Sequence, residues 1–218
     1  MRVTVKKSKT GENAPNTPAT ARDRILGAAL QAFAEGGYAA TSTLEIATRA
    51  QVSKRELYAL FGNKQAMLAA CIADRAVRVR VPPDLPSVGD RATLARALTQ
   101  IGATVLQEIC APAVVTMFRL AIAEAQRSPE VARALDRTGR QAVRSAVEQI
   151  VRQACDRGLL GDGDVGAMTG QFLALLWTDV LLNLLLRVRE TPTRAEARRR
   201  AESAATSFLT LHPATKAP

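Results

Sequence analysis

The feature that most constrains this chain is a pair of short helix patterns that stand two residues apart, at residues 42–50 and 53–61. Each pattern begins with a serine followed three residues later by a glutamate, which is the arrangement of a helix capping box. The two boxes are Ser42 with Glu45 and Ser53 with Glu56. Because only Gln51 and Val52 separate the patterns, the two helices must cross steeply, as they do in a helix-turn-helix.

The side chains of this motif fit that geometry. Ala47 is small enough for two helices to touch at the crossing, and Val52 is an apolar residue that the turn can bury. The second helix has one apolar side, formed by Leu57 and Phe61, and its other side is free to enter the major groove of DNA. The spacing therefore predicts a helix-turn-helix over roughly residues 42–61.

The rest of the chain is also expected to be helical, so the predicted fold class is all-α with about nine helices. Aromatic residues make up only 4% of the 218 residues, and no segment shows the alternation typical of strands. Apolar residues recur instead at three- and four-residue spacing. The expected helices span about residues 20–36, 42–50, 53–61, 64–81, 91–110, 112–127, 129–156, 164–189 and 192–211.

A proline-rich linker at residues 82–86 divides the chain. Residues 1–19 form a basic segment punctuated by proline and glycine, which predicts a disordered tail. Residues 20–81 form the helix-turn-helix domain, and residues 82–218 form a second helical domain.

Charge is concentrated in the first of these domains. The chain has a formal net charge of +10, and residues 1–80 carry 13 Lys and Arg against 6 Asp and Glu. The longer remainder carries a net charge of only +3. A polyanionic partner is therefore expected to bind the N-terminal part.

Neither a metal site nor a catalytic centre is expected. The cysteines are far apart, and the single histidine, His212, lies next to the end of the chain. No zinc spacing, phosphate-binding loop or nucleophile motif is present, so we expect no cofactor and no enzyme activity. An odd number of cysteines without a signal peptide indicates a cytoplasmic protein. No apolar run reaches the roughly 18 residues of a membrane helix, and the closest segment, Phe172–Leu186, is interrupted by Thr178, Asp179 and Asn183.

More than a dozen side chains between residues 21 and 70 stand at a spacing that belongs to a known family. They are Arg24, Ile25, Leu26, Ala29, Phe33, Gly36, Gly37, Tyr38, Thr41, Ile46, Ala47, Ala50, Val52, Ser53, Leu57, Tyr58, Phe61 and Lys64. Together they resemble the N-terminal domain of TetR-family repressors. Four later motifs are Phe118-Arg119-Leu120, Glu124-Ala125, Pro129-Glu130 and Ala134-Leu135. These resemble, less closely, the C-terminal domain of the AefR-like branch of the family.

The resemblance implies a set of DNA contacts. Thr43, or Ser42 beside it, would contact phosphate at the start of the second helix, as would Tyr58 and Lys64 further on. The exposed start of the third helix would reach base edges. The expected DNA-binding residues are Ser42, Thr43, Ser53, Lys54, Arg55, Glu56, Tyr58 and Lys64.

Three positions depart from the family pattern. Gln51 stands where a glycine is usual, and a side chain in the left-handed conformation there costs roughly 1 kcal/mol. Ala59 and Leu60 replace an aromatic residue and a histidine that often follow the tyrosine. Base readout is therefore expected to shift toward Lys54 and Arg55.

Several of these residues have an alternative interpretation that needs no DNA. Glu56 can act as the capping partner of Ser53 without any contact to DNA. Lys54 and Arg55 can form an ordinary solvated face. Arg49 either contacts phosphate or is solvated.

In the second domain the resemblance implies an effector cavity with apolar walls. The bulky residues that either line it or form packed core are Met117, Phe118, Phe172, Leu176 and Trp177. The resemblance also implies a homodimer through the helices at about residues 165–189 and 192–211. Asp179 and Asn183 lie four residues apart on the first of these helices, where they can serve a ligand or the dimer interface.

The resulting hypothesis is a homodimeric transcriptional repressor. It would bind a palindromic double-stranded DNA operator and be released by a small apolar or aromatic effector. Two other functions remain open at this point, a helical enzyme and a helical adaptor for another protein.

Overall fold

The computed structural model describes residues 20–76 and 88–215 of the chain. Within these residues every regular element is a helix, which confirms the all-α prediction. The expected tail at residues 1–19 and the linker at residues 82–86 lie outside the described residues. No single helix in the described part is both long and apolar enough to cross a membrane. Among the described residues, one pair of helices meets that test when taken together, Arg91–Ile109 with Pro112–Ala123, and this pair is bent by 64°.

Four helices form the N-terminal part. They are α1 (Ala21–Gly36), α2 (Thr43–Arg49), α3 (Lys54–Phe61) and α4 (Lys64–Ala76). Their apolar faces meet in one cluster that includes Ile25, Phe33, Ile46, Leu57 and Met67, none of which is exposed to solvent. The helix-turn-helix is thus built from the residues that the spacing indicated.

The capping boxes predicted at α2 and α3 are only half formed. The Ser42 hydroxyl accepts a hydrogen bond from the backbone N–H of Glu45, and the Ser53 hydroxyl accepts one from that of Glu56, both at 3.0 Å. Neither glutamate returns a bond to its serine, and Glu45 instead accepts one from Arg49. Both serines are therefore N-caps, whereas the complete box in this part of the chain lies at α1, between Thr20 and Asp23.

The turn between α2 and α3 has the geometry predicted for Gln51. This residue has a φ of 55°, in the left-handed region. Its N–H donates to the carbonyl of Thr48, and the N–H of Val52 donates to that of Ala47. These are the two bonds of a Schellman motif, which satisfies the last carbonyls of α2 and redirects the chain into α3.

The second domain contains the remaining helices. In chain order they are α5 (Arg91–Ile109), α6 (Pro112–Ala123), α7 (Pro129–Ala134), a π turn (Leu135–Arg140), α8 (Gln141–Asp156), α9 (Val165–Trp177), α10 (Val180–Leu185) and α11 (Arg194–Leu211). The segments from Pro129 to Asp156 are continuous and match the expected helix at 129–156. Counted as one helix, they bring the described part of the chain to ten helices.

Three boundaries in this domain were predicted incorrectly. The helix expected up to residue 189 is broken at Thr178, which has a φ of 38° and receives a hydrogen bond from Arg200. The last helix begins at Arg194 with Thr193 as its N-cap, two residues later than the Thr-Pro signal indicated. The helix expected up to residue 127 ends at Ala123.

The core of the second domain forms around α5, which packs against both α9 and α11. A Cβ atom on Gly102 would lie 3.1 Å from the Cβ of Ala201 and 3.2 Å from the Cδ1 of Leu176. The absence of a side chain at this position therefore lets the three helices approach closely. Phe172 and Phe208 fill the space beside it, with ring centroids 5.6 Å apart.

The two domains share apolar core. Met117 and Leu120 of α6 and Leu135 of the π turn belong to the same buried cluster as Ile25 of α1 and Met67 of α4. A displacement of α6 or of the π turn therefore acts directly on the helices that support α2 and α3.

The strained turn supports a test of its geometry. We expect Gln51→Gly to raise the free energy of unfolding by about 0.5 to 1 kcal/mol, because glycine adopts a positive φ without steric cost. The same change at Gln149, an exposed residue within α8, is expected to lower it by about 1 kcal/mol. Urea denaturation at one fixed protein concentration measures both. A loss of stability in Gln51→Gly would show that position 51 does not adopt the left-handed conformation.

Candidate nucleic-acid interface

Two hydroxyl groups and an ammonium group meet where the N-terminus of α2 approaches α3. The Thr43 Oγ1 lies 3.1 Å from the hydroxyl oxygen of Tyr58, although the residues are 15 positions apart. The Tyr58 side chain is 41% exposed, and the ammonium of Lys54 lies 5.8 Å from the centroid of its ring. The cluster of Thr43, Lys54 and Tyr58 offers several hydrogen-bond donors on one surface, as a phosphate group requires.

The first turn of α3 is open to solvent beside this cluster. Lys54, Arg55 and Glu56 are exposed, whereas Leu57 and Phe61 are buried on the opposite side of the helix. The side chains of Arg55 and Glu56 make no hydrogen bond or ion pair with another described residue, although the backbone N–H of Glu56 is bonded to Ser53. These groups are therefore free to contact a ligand without breaking an internal bond.

Lys64 is engaged within the protein. Its ammonium donates hydrogen bonds to the carbonyl oxygens of Tyr38 at 2.8 Å and of Ala39 and Thr41 at 3.2 Å. It also lies 4.6 Å from the centroid of the Tyr38 ring. All three protons of the ammonium are thus directed at the turn between α1 and α2. A direct phosphate contact, as the resemblance implied, would require one of these bonds to be replaced.

Arg49 is likewise held by internal contacts. Its guanidinium donates to Glu35 of α1 at 2.6 Å and to Glu45 of α2 at 2.7 Å. The hydrogen bond from Arg49 lowers the pKa of the Glu35 carboxyl below its ordinary value. Arg49 therefore connects α2 to α1. Neither of the two interpretations from the sequence, a phosphate contact or a solvated side chain, included this role.

Two leucines of the helix-turn-helix are exposed, and neither was among the expected DNA-binding residues. Leu44 on α2 is 61% exposed and Leu60 on α3 is 43% exposed. The available signal for Leu44 was helical spacing, because it lies two positions before the buried Ile46 and so on the other side of α2. Apolar side chains on a DNA-facing surface can contact thymine methyl groups.

A narrow cavity lies where α4, α5, α6, the π turn and α8 meet. The cavity is small, with a volume of about 40 Å³. Its lining residues are Ile72, Glu108, Ile109, Val114, Met117, Phe118, Leu135, Gly139, Arg140 and Val143. Of the five predicted pocket residues, Met117 and Phe118 line this cavity.

The other three predicted pocket residues lie elsewhere. Trp177 lines a neighbouring groove between α8 and the α9–α10 segment. The groove and the cavity share Phe118, Arg140 and Val143. Phe172 and Leu176 are fully buried and pack against α5 and α11 in the core. For these two residues the structure shows the packed-core alternative, because the close approach at Gly102 leaves no space beside them.

Asp179 and Asn183 contact each other and the helix break. The Asn183 amide donates to the Asp179 carboxylate at 3.0 Å, and Arg200 of α11 approaches that carboxylate at 3.6 Å. Together they connect α10 and α11 beside Thr178.

The described part of the chain contains no cluster of side chains that could bind a metal ion. No three residues of the types His, Cys, Asp and Glu are close enough to bind a metal ion there. Burial raises the pKa of the Cys110 thiol to about 11, which leaves it protonated at neutral pH.

Comparison with protein families gives two matches. Residues 25–71 match the model of bacterial regulatory proteins of the tetR family, and residues 96–212 match that of the C-terminal domain of AefR-like transcriptional repressors. Among curated proteins, an uncharacterised helix-turn-helix transcriptional regulator of Bacillus subtilis, YvkB, is 42% identical over 53 residues. That alignment covers 24% of this chain and 28% of YvkB.

Solved structures are similar over nearly the whole chain. A TetR transcriptional regulator from Agrobacterium tumefaciens has 27% identity and a TM-score of 0.74, with 92% of this chain and 97% of that chain covered. The flavonoid-responsive regulator FrrA also has 27% identity, with a TM-score of 0.73 and coverage of 90% and 98%. The GusR protein of Salmonella enterica has 26% identity and a TM-score of 0.61, with coverage of 91% and 98%.

The contacts of Lys64 predict a structural role that can be measured. We expect Lys64→Met to lower the free energy of unfolding by about 1.5 to 3 kcal/mol, because three carbonyl groups lose a charged donor. Lys54→Met is the matched control, since its ammonium contacts only an exposed ring and should cost less than about 1 kcal/mol. Chemical denaturation followed by circular dichroism gives both values. Equal effects of the two substitutions would contradict this role.

Proposed function

The chain belongs to the TetR family of DNA-binding transcriptional regulators, and we propose that it is a homodimeric repressor that an aromatic or apolar effector releases from a palindromic operator. The observation that carries the proposal is the first turn of α3. Its charged side chains are exposed, while the opposite face of the helix is buried in the core. A helix of this kind can enter the major groove without rearrangement.

The proposed DNA contacts are of two kinds. Thr43 and Tyr58, with Ser42 and Ser53 at the adjoining helix N-termini, bind phosphate groups and position the motif. Lys54, Arg55 and Glu56 reach base edges, where a lysine or arginine favours guanine and a glutamate favours cytosine.

Lys64 has a different part in this proposal. Its bonds to the Tyr38, Ala39 and Thr41 carbonyls set the position of the turn that precedes α2. We therefore assign Lys64 an indirect effect on DNA binding, through the placement of Thr43, in place of a direct phosphate contact.

The proposed dimer interface involves α9, α10 and α11, at about residues 165–189 and 192–211. Large apolar side chains are exposed there, including Leu182, Leu186 and Val188. Water-exposed leucines on neighbouring turns favour burial against a second copy. A two-fold dimer would present two α3 helices to successive major grooves. We also propose that the protein acts on DNA in the cytoplasm.

The cavity where α4 meets α5, α6, the π turn and α8 is the proposed effector site. Its walls are mostly apolar, and FrrA, the structural neighbour described as flavonoid-responsive, is consistent with an aromatic ligand. Ile72 of α4 forms part of the wall. A ligand that widens the cavity would therefore displace α4 and change the separation of the two α3 helices, which lowers DNA affinity.

The base contacts are tested by selecting bound duplexes from a random pool. Lys54→Ala and Arg55→Ala are expected to change the selected sequence at a defined position in each half-site, at about 1 to 3 kcal/mol per contact. Tyr58→Phe is the control, because it removes only a hydroxyl group and should weaken binding to all sequences alike. If all three variants select the original operator with equally reduced affinity, the assignment of base contacts is wrong.

The dimer interface is tested by introducing charge. Leu186 is 62% exposed on the proposed interface, and we expect Leu186→Glu to raise the dimer dissociation constant by more than about tenfold, because the carboxylate would be buried without a partner. Ile122 on α6 is 63% exposed and lies outside the proposed interface, so Ile122→Glu should leave the dimer intact. Sedimentation equilibrium distinguishes the two outcomes. A monomeric wild-type protein, or a dimer that survives Leu186→Glu, would contradict the proposed interface.

A further inference from the structure

A large apolar side chain on α2 lies on the surface that is proposed to face DNA. Leu44 is 61% exposed. Single apolar side chains on a protein surface are common, so exposure alone assigns no role to this residue. Its position is more informative, because Leu44 directly follows Thr43, whose hydroxyl group lies 3.1 Å from that of Tyr58 in the proposed phosphate-binding cluster. A phosphate group bound by Thr43 therefore brings the adjoining groove of the DNA close to Leu44.

The direction of Leu44 follows from the geometry of α2. Ile46, Ala47 and Ala50 are buried, whereas Leu44 and Thr48, which are four residues apart, are both exposed. Residues at this spacing share one face of a helix, so Leu44 and Thr48 belong to the outer face of α2. The Thr48 hydroxyl group donates to the carbonyl of Leu44 at 2.9 Å and is therefore satisfied within the helix. Leu44 is the larger side chain that this face offers to a ligand.

The chemistry of this face is apolar, because the charged side chains of α2 are already paired. Its single basic residue, Arg49, donates to Glu35 at 2.6 Å and to Glu45 at 2.7 Å. A leucine side chain has neither a hydrogen-bond donor nor an acceptor, so it gains nothing from a phosphate group or from the polar atoms of a base edge. The apolar group that bases present in the major groove is the C5 methyl group of thymine. The chemistry of Leu44 therefore favours contact with a thymine.

Leu60 of α3, the other exposed leucine of the helix-turn-helix, is placed differently. It is 43% exposed and lies two positions after Tyr58, so it lies on the other side of α3 from the contact between Tyr58 and Thr43. Glu56, one turn earlier, shares that side of the helix. The leucine that adjoins the proposed phosphate contact is therefore Leu44.

We propose that Leu44 packs against the C5 methyl group of a thymine in each half-site of the operator and thereby determines specificity at that base pair. The inference rests on the proposed DNA binding, and it adds a base contact from α2 to those assigned to α3. Burial of one methyl group corresponds to a change in affinity of about fourfold. Because Leu44 carries no charge, its contact neutralises no phosphate group and leaves the salt dependence of binding unchanged.

The test replaces thymine by uracil, which lacks only the C5 methyl group. Each thymine of the selected operator is replaced in turn, at the symmetric position of both half-sites, and fluorescence anisotropy measures the dissociation constant of the full-length protein. For the wild-type protein we expect at least one replacement to weaken binding by about fourfold in each half-site, and so by roughly fifteenfold in the whole operator. The slope of log K against log salt concentration should stay the same.

Variants of Leu44 identify the side chain that contacts the methyl group. Leu44→Ala should bind the thymine and uracil duplexes with nearly equal affinity at that position, because the side-chain atoms beyond Cβ are removed. Leu44→Met should retain most of the preference for thymine, because methionine is apolar and of similar reach. Ile122→Ala is the matched control, since Ile122 is 63% exposed and lies on α6, outside the helix-turn-helix. It should keep the full preference.

The inference fails if no replacement of thymine by uracil weakens binding to the wild-type protein, or if the selected half-site contains no thymine. It also fails if the preference for thymine survives Leu44→Ala. If Leu60→Ala abolishes the preference instead, the methyl contact belongs to Leu60. In each of these cases the operator is still bound, so the proposed function stands without the inference. If no duplex is bound at all, the proposed function and the inference fail together.

Discussion

The apolar cluster shared by the two domains is the interaction on which the rest of the structure depends. Side chains of α1 and α4 pack against Met117 and Leu120 of α6 and Leu135 of the π turn. Because protein interiors are close-packed, a change in one part of such a cluster must be accommodated by the others. The cluster therefore supports α3, and it also includes Ile72 and Met117 of the cavity wall, through which the proposed effector would act on α3.

Local chemistry made the helix-turn-helix predictable. Ser42 and Ser53 mark the two helix starts because a hydroxyl group can accept from a free backbone N–H, and this signal depends on neighbouring residues only. The left-handed conformation of Gln51 was expected from the family resemblance, because a glycine is usual at this position. The contacts of Lys64 could not be foreseen in this way, because its carbonyl partners lie more than 20 residues away and meet it only in the folded chain.

The second domain was less predictable for the same physical reason. Phe172 and Leu176 are large apolar residues, which suit either a packed core or a cavity wall. Only the close approach of α11 at Gly102 shows that they belong to the core. At the helix break, Thr178 likewise accepts a hydrogen bond from Arg200, which comes from another helix. Sequence periodicity indicated which residues are apolar on one face, whereas the volume left between those faces is set by how the helices pack.

We propose above all that α3 and the neighbouring hydroxyl groups of each protomer bind duplex DNA, so that a dimer contacts the DNA at two equivalent sites. A titration of a selected palindromic duplex at increasing salt concentration tests it most directly. A dimer in which each protomer brings the two cations of Lys54 and Arg55 to the DNA predicts that log K falls linearly with log salt concentration, with a slope of about −4. Two protomers are also expected to bind each duplex. Binding that does not change with salt, or that saturates at one protomer per palindrome, would contradict it.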